Sequence, residues 1–139
     1  MERPRGFTLL ELVIVVAIVA ILAAIATQSY ARYAFRSHRT DAHHMLMTIA
    51  QAQERWHATY NRYAEDLGQL GFANPVVSPH GYYHIGLHMA DNAAEGFVAT
   101  AMPGGRQAGD ACGSLSIDNA GRKLPDGADA AANANGKCW

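Results

Sequence analysis

Seven histidines, two cysteines and an acid-and-amide tail are the side chains of this 139-residue sequence that could hold a metal or carry a reaction. Two histidines clasp one ion from a helix when they stand four residues apart, and His38, His43, His44 and His57 never do. His84 and His88 alternate onto one face of an extended segment. At about 3.3 Å per residue they lie about 13 Å apart, too far for a single ion. Asp126, Asp129, Asn133 and Asn135 supply oxygens, but their spacing is not that of an EF-hand loop. A polar loop without calcium is the expectation. No Ser–His–Asp arrangement, nucleotide-binding loop or activated cysteine stands out. Neither a metal, a cofactor nor an enzyme activity is expected, and the histidines read as solvated groups that gain charge below about pH 6.5.

These polar residues all follow a segment of another kind. Leu12 to Ala26 is wholly apolar, and residues 7–26 make about 20 positions, roughly 30 Å of helix, one hydrocarbon thickness. A secretory signal peptide has a shorter apolar region ending at a small-residue cleavage site. This run is longer and passes without a turn signal into a polar helical pattern, so an uncleaved membrane helix is expected. Arg3 and Arg5 flank one end, while Arg32, Arg36 and Arg39 follow the other, and counting them does not orient the span. The chain carries a net charge of −1, and without Glu2, Arg3 and Arg5 the remainder carries −2. Such a balance makes no case for generic nucleic-acid binding. An even pair of cysteines in an exported domain, Cys112 and Cys138, favours a disulfide.

The most specific stretch is Arg5-Gly6-Phe7-Thr8-Leu9-Leu10-Glu11 before the aliphatic run. It resembles the class III leader of type IV prepilins and pseudopilins: a short basic leader ending in Gly, then Phe-Thr-Leu-Leu/Ile-Glu. That resemblance implies cleavage by a prepilin peptidase between Gly6 and Phe7 on the cytoplasmic face, and N-methylation of Phe7. It also implies a periplasmic head and assembly through Glu11 and the Phe7 amine. The physics agrees. A carboxylate in mid-bilayer costs a few kcal/mol, but one turn from the new N-terminus the helix dipole favours it and the interface is near. In a bundle of helices, a neighbour's α-amino group can neutralise it. A buried charge with one specific partner penalises every axial register in which that partner is missing. Many pilins carry Gly where this chain has Ala20 and Pro where it has Gln28, so a more continuous helix is expected here.

Beyond Gln28, the positions Ala42, Leu46, Ile49, Gln53, Trp56 and Tyr60 step by three or four, broadened by Met45 and Ala52. Asp41, His44, Gln51, Glu54, Arg55 and Ala58 lie opposite. One helix of about 50 residues follows, half membrane-grade and half amphipathic. Asn61 and the turn-rich residues 66–71 mark its exit. Residues 82–89 and 96–102 read as strands, and 115–117 with 123–124 as a hairpin whose left-handed position is Gly121. The fold class is therefore α+β: a long N-terminal helix packed on a small antiparallel head, the architecture that the pilin resemblance also implies as the type IV pilin fold. Its parts are a leader at 1–6, a transmembrane and filament-core helix at 7–27, an amphipathic helix at 28–60, and the head at 61–139. The tail "DGADAAANANGKCW" is low in bulk, and a Cys112–Cys138 bond, worth roughly 3–4 kcal/mol for a 27-residue loop, is expected to pin what packing cannot hold.

Thr40-Asp41-Ala42-His43, residues 50–56 and residues 112–123 look like PilE/ComP-type minor pilins in particular. The implied function is a structural, minor subunit of a type IV pilus. Its partners would be other pilin subunits, the prepilin peptidase and the inner-membrane assembly machinery. It would sit in the inner membrane with its N-terminus cytoplasmic, and then in a surface filament serving motility, adhesion or DNA uptake. Two alternatives are a DNA-receptor pilin for natural transformation and a pseudopilin of a type II secretion system. Arg32, Arg36 and Arg39 are expected to meet lipid headgroups or the filament interior. The head's other basic residues (Arg55, Arg62, Arg106, Arg122, Lys123, Lys137) are scattered among acids.

Overall fold

The computed structural model describes residues 6–90, 95–125, 127, 131, 133 and 137–139. Its elements are a helix α1 (Leu9–Tyr60) and strands β1 (Tyr83–Met89), β2 (Phe97–Pro103), β3 (Leu115–Asp118) and β4 (Lys123–Leu124). The chain divides into two compact units, one ending at Ala34 and the other running from Phe35 to Trp139.

The first unit contains the apolar part of α1. With Ala20 and Gln28 in place of helix breakers, α1 is assigned without interruption over its 52 residues. None of the residues in its most apolar window is buried, and the stretch is long and apolar enough to cross a membrane.

In the second unit the four strands form one antiparallel sheet in the order β1-β2-β3-β4. The period-2 alternation selects its faces. Tyr83 and Ile85 of β1, Phe97, Ala99 and Ala101 of β2, and Leu115 and Ile117 of β3 are buried in one cluster with Ala42, Met45, Leu46 and Ile49 of α1. The register pairs Leu87 with Ala99, Ile85 with Ala101 and Ala99 with Ile117. The predicted stripe therefore faces the core, except that Tyr60 is 55% exposed. Gln53, also on the stripe, is fully buried and clasps the backbone of Ala64: Oε1 accepts its N–H at 2.8 Å and Nε2 donates to its C=O at 2.9 Å. This clasp folds the exit of the helix back along its own side. The exit itself is a left-handed Asn61 (φ 54°), whose N–H reaches the His57 carbonyl. In the β3–β4 hairpin Asp118 accepts the N–H groups of Ala120 and Arg122, and Gly121 takes φ 74° as the turn requires. Replacing Leu46, which has no exposed surface, by Ala should lower the unfolding free energy of the head by about 2–5 kcal/mol, as read from denaturant unfolding of the full chain in detergent.

Candidate functional site

Gly6, Phe7 and Thr8 precede α1 as exposed backbone outside regular structure. A Cβ built on Gly6 would meet no atom within 4 Å, and its φ is not left-handed. Among the described residues, nothing in the fold asks for glycine there. Thr8 caps the helix, its Oγ1 accepting the Glu11 N–H at 3.3 Å. Thr-x-x-Glu is capping-box spacing, a local signal that the sequence carries beside the charge of Glu11. The Glu11 side chain is exposed and has no hydrogen-bond or ion-pair partner among the described residues. Phe7 is 85% exposed, and the aliphatic side chains behind it are exposed all round the helix.

The head holds a second concentration of polar groups, on residues 38–43 of α1. Arg39 is 1% exposed and forms a fork with Asp110, Nε to Oδ2 and Nη2 to Oδ1, both at 2.6 Å. Its Nη1 donates to the Lys137 carbonyl at 3.3 Å. Gln107, buried in the 3₁₀ turn Gly105–Gly109, braces the pair. Its Nε2, with two hydrogens to share, lies within hydrogen-bond reach of Asp110 Oδ2, the Tyr83 hydroxyl and the Phe35 carbonyl. Its Oε1 accepts from His38 Nδ1 at 3.0 Å, which fixes the His38 tautomer. Burial pushes the Tyr83 hydroxyl up to about 12, with the Asp110 charge adding to the effect against the Gln107 bond. Asp41 accepts both the backbone N–H and Nδ1–H of His80. Burial alone would raise the Asp41 carboxyl, but hydrogen bonds from Ser78 and His80 outweigh it and hold the group below the usual range. His43 donates Nε2–H to the Cys138 carbonyl at 2.9 Å and stacks on Trp139 at 4.6 Å. The disulfide joins Cys112 to Cys138, with Cα atoms 5.8 Å apart.

Residues 28–116 match the family described as type IV minor pilin ComP, DNA uptake sequence receptor. Residues 1–27 match the prokaryotic N-terminal methylation motif. The chain belongs to the ComP family of type IV minor pilins. It is 40% identical over 80 residues to the type IV major pilin protein PilA of Myxococcus xanthus (strain DK1622), a match covering 58% of this chain and 36% of that protein. The chain thus spans about a third of the length of that curated relative. A solved type IV pilin from Shewanella oneidensis is similar at a TM-score of 0.56 and 30% identity, over 76% of this chain and 97% of that one.

Set against this pilin's geometry, several expectations change. Arg39 is no part of an exposed basic stretch, because Asp110 holds it inside the head. Asp41, assigned to the polar face, is 8% exposed. His38 and His43 are half-buried and hydrogen-bonded rather than solvated. The tail has more than its disulfide: Trp139 donates Nε1–H to the Leu124 carbonyl, and Lys123 Nζ sits 5.1 Å above its ring. Asp126, Asp129 and Asn135 lie outside the described residues. Asn133 accepts the Cys138 N–H, and among the described residues no group of three potential ligands could hold a metal. The missed residues, Asp110 and Gln107, carried no signal beyond being a lone acid and a lone amide in a glycine-rich loop.

Burial pushes the His43 imidazole below its ordinary value near 6.5, and the nearby charges of Lys123 and Arg39 add to this against the Cys138 bond. With its folded value depressed, the unfolded chain takes up the proton first on acidification. Stability is therefore present above about pH 6.5 and lost as pH falls through that value toward the folded one. Melting temperature should decline from pH 7 to pH 5 in the native chain, and His43→Gln should flatten that part of the profile.

Proposed function

We propose that this pilin is a minor subunit of a type IV pilus, matured by cleavage between Gly6 and Phe7 and methylation of the Phe7 amine. It stands in the inner membrane on the apolar part of α1, N-terminus cytoplasmic and head periplasmic, before entering a surface filament with other pilin subunits. The observation that carries this reading is an apolar stretch of helix with nothing buried along it and, one turn from its start, a carboxylate without a partner among the described residues. Such a surface needs lipid or other helices, and in a bundle Glu11 needs a cation, which the Phe7 amine of an adjoining copy supplies. Gly6 supports the processing step, since a peptidase, unlike the fold, has reason to require it. The named relatives are all described as pilins, which favours a pilus over a secretion-system pseudopilus.

Mass spectrometry of sheared pili should detect the chain beginning at N-methylated Phe7. A chain retained in membranes, or one still beginning at Met1, would defeat the reading. Glu11→Ala should insert normally yet enter filaments about tenfold less, or worse, as a loss of about 1.4 kcal/mol in pairing gives. Incorporation at the native level would remove Glu11 from the mechanism.

The description of the matched family favours a second reading, reception of DNA. Arg122 is engaged by Asp118 and Lys123 by Trp139, which leaves Arg55, Arg62, Arg106 and Lys137, all exposed, as candidate phosphate contacts. With four such contacts, log K for duplex DNA should fall with log salt at a slope of about −3.6. Filter binding of the full chain in detergent at two salt concentrations checks this, and flat weak retention at low salt would discard DNA reception.

A further inference from the structure

The bonds that hold the two cysteine backbones in place do not use sulfur. Asp110 stands two residues before Cys112, and its Oδ1 accepts the Cys112 N–H at 3.3 Å while receiving Arg39 Nη2 at 2.6 Å. On the other strand of the bridge, Arg39 Nη1 holds the Lys137 carbonyl and His43 Nε2 holds the carbonyl of Cys138 itself. Trp139, one residue on, is stacked against His43 and tied to Leu124. Both cysteine segments thus hang from one and a half turns of helix. Cys112 and Cys138 are 5% and 1% exposed, so the bridge is shielded as long as the tail is docked.

We propose that the Arg39–Asp110 pair, with His43, docks the C-terminal tail before oxidation and sets how strongly the chain holds its disulfide. In an unfolded chain the thiols must find each other across a loop of 26 residues in sequence, whereas a docked dithiol already has them in bonding range. Oxidation is an exchange with a small-molecule or protein disulfide. The two cysteine thiols lose two electrons and two protons as the S–S bond forms. The exchanging disulfide is cleaved and leaves as two thiols carrying both. Linkage makes the effect reciprocal: whatever factor the docked tail adds to the oxidation constant, the disulfide adds to docking.

The full chain in detergent micelles, equilibrated against mixtures of reduced and oxidised glutathione and trapped with a maleimide, gives that constant by mass. Asp110→Asn should lower it by about tenfold or more, in line with the loss of a charge-assisted bond. Gln53→Ala, which removes two buried hydrogen bonds remote from the cysteines, should move it by less than about twofold for a comparable fall in melting temperature. Equal shifts in the two variants would overturn the proposal. A second measurement does not depend on Asp110→Asn folding. In the Cys112→Ala/Cys138→Ala chain, the Trp139 indole N–H resonance should keep its folded position and slow solvent exchange. Collapse of that resonance to the unfolded position would mean that sulfur alone holds the tail, and would equally overturn it.

Discussion

A guanidinium and a carboxylate meeting at 2.6 Å, each almost without solvent contact, are what the rest of the head is arranged around. Withdrawing such ions from water costs several kcal/mol apiece, and attraction alone offsets this only when the geometry is good and the remaining donors and acceptors are used. Here they are used: Arg39 spends a third donor on Lys137, and Asp110 takes further bonds from Gln107 and Cys112. The pair is bidentate, so it fixes direction as well as distance. A helix rotated by one residue would bring Thr40 or His38 to the carboxylate and leave a charge unanswered. Rotation of the amphipathic helix about its axis is thereby set by one side chain, while the apolar stripe, being broad, would tolerate a range.

The same helix meets two environments with opposite demands. From Leu12 to Ala26 it offers apolar surface on every side, with backbone groups satisfied internally, as a nonpolar solvent requires. From Phe35 onward one face is apolar and packs on the sheet, while residues 38–43 reach into loops on the flank with Arg39, Asp41 and two histidines. Between them these contacts pin three segments: the 3₁₀ turn and its cap, the loop before β1, and the C-terminal tail. The β-sheet supplies the floor, and the polar flank of α1 supplies the fastenings.

The two parts of this pilin differ in how far their side chains are satisfied. Glu11 has no hydrogen-bond or ion-pair partner among the described residues, and the aliphatic stem is exposed along its length. The head, by contrast, is internally complete: among the described residues, Trp56 Nε1 is the one buried side-chain polar atom without a hydrogen bond.

Much of this was legible in residue order, for identifiable physical reasons. A run of apolar residues long enough to span a bilayer, one acid near its start, a 3.6-residue stripe from Ala42 to Gln53, alternation at Tyr83–Met89 and a turn at Asp118–Gly121 are local patterns. Local patterns are dictated by backbone geometry and solvent preference, and they were enough for the fold class, the strands and the N-terminal methylation motif. The sequence could not disclose the pairing of Arg39 with Asp110 across 71 positions, the placing of Asp41 under His80, or the packing of Trp139 on His43. Each is a polar or aromatic side chain whose ordinary place is the surface. Only a partner brought from a distant segment makes its burial favourable, and that partner exists only once the chain has folded.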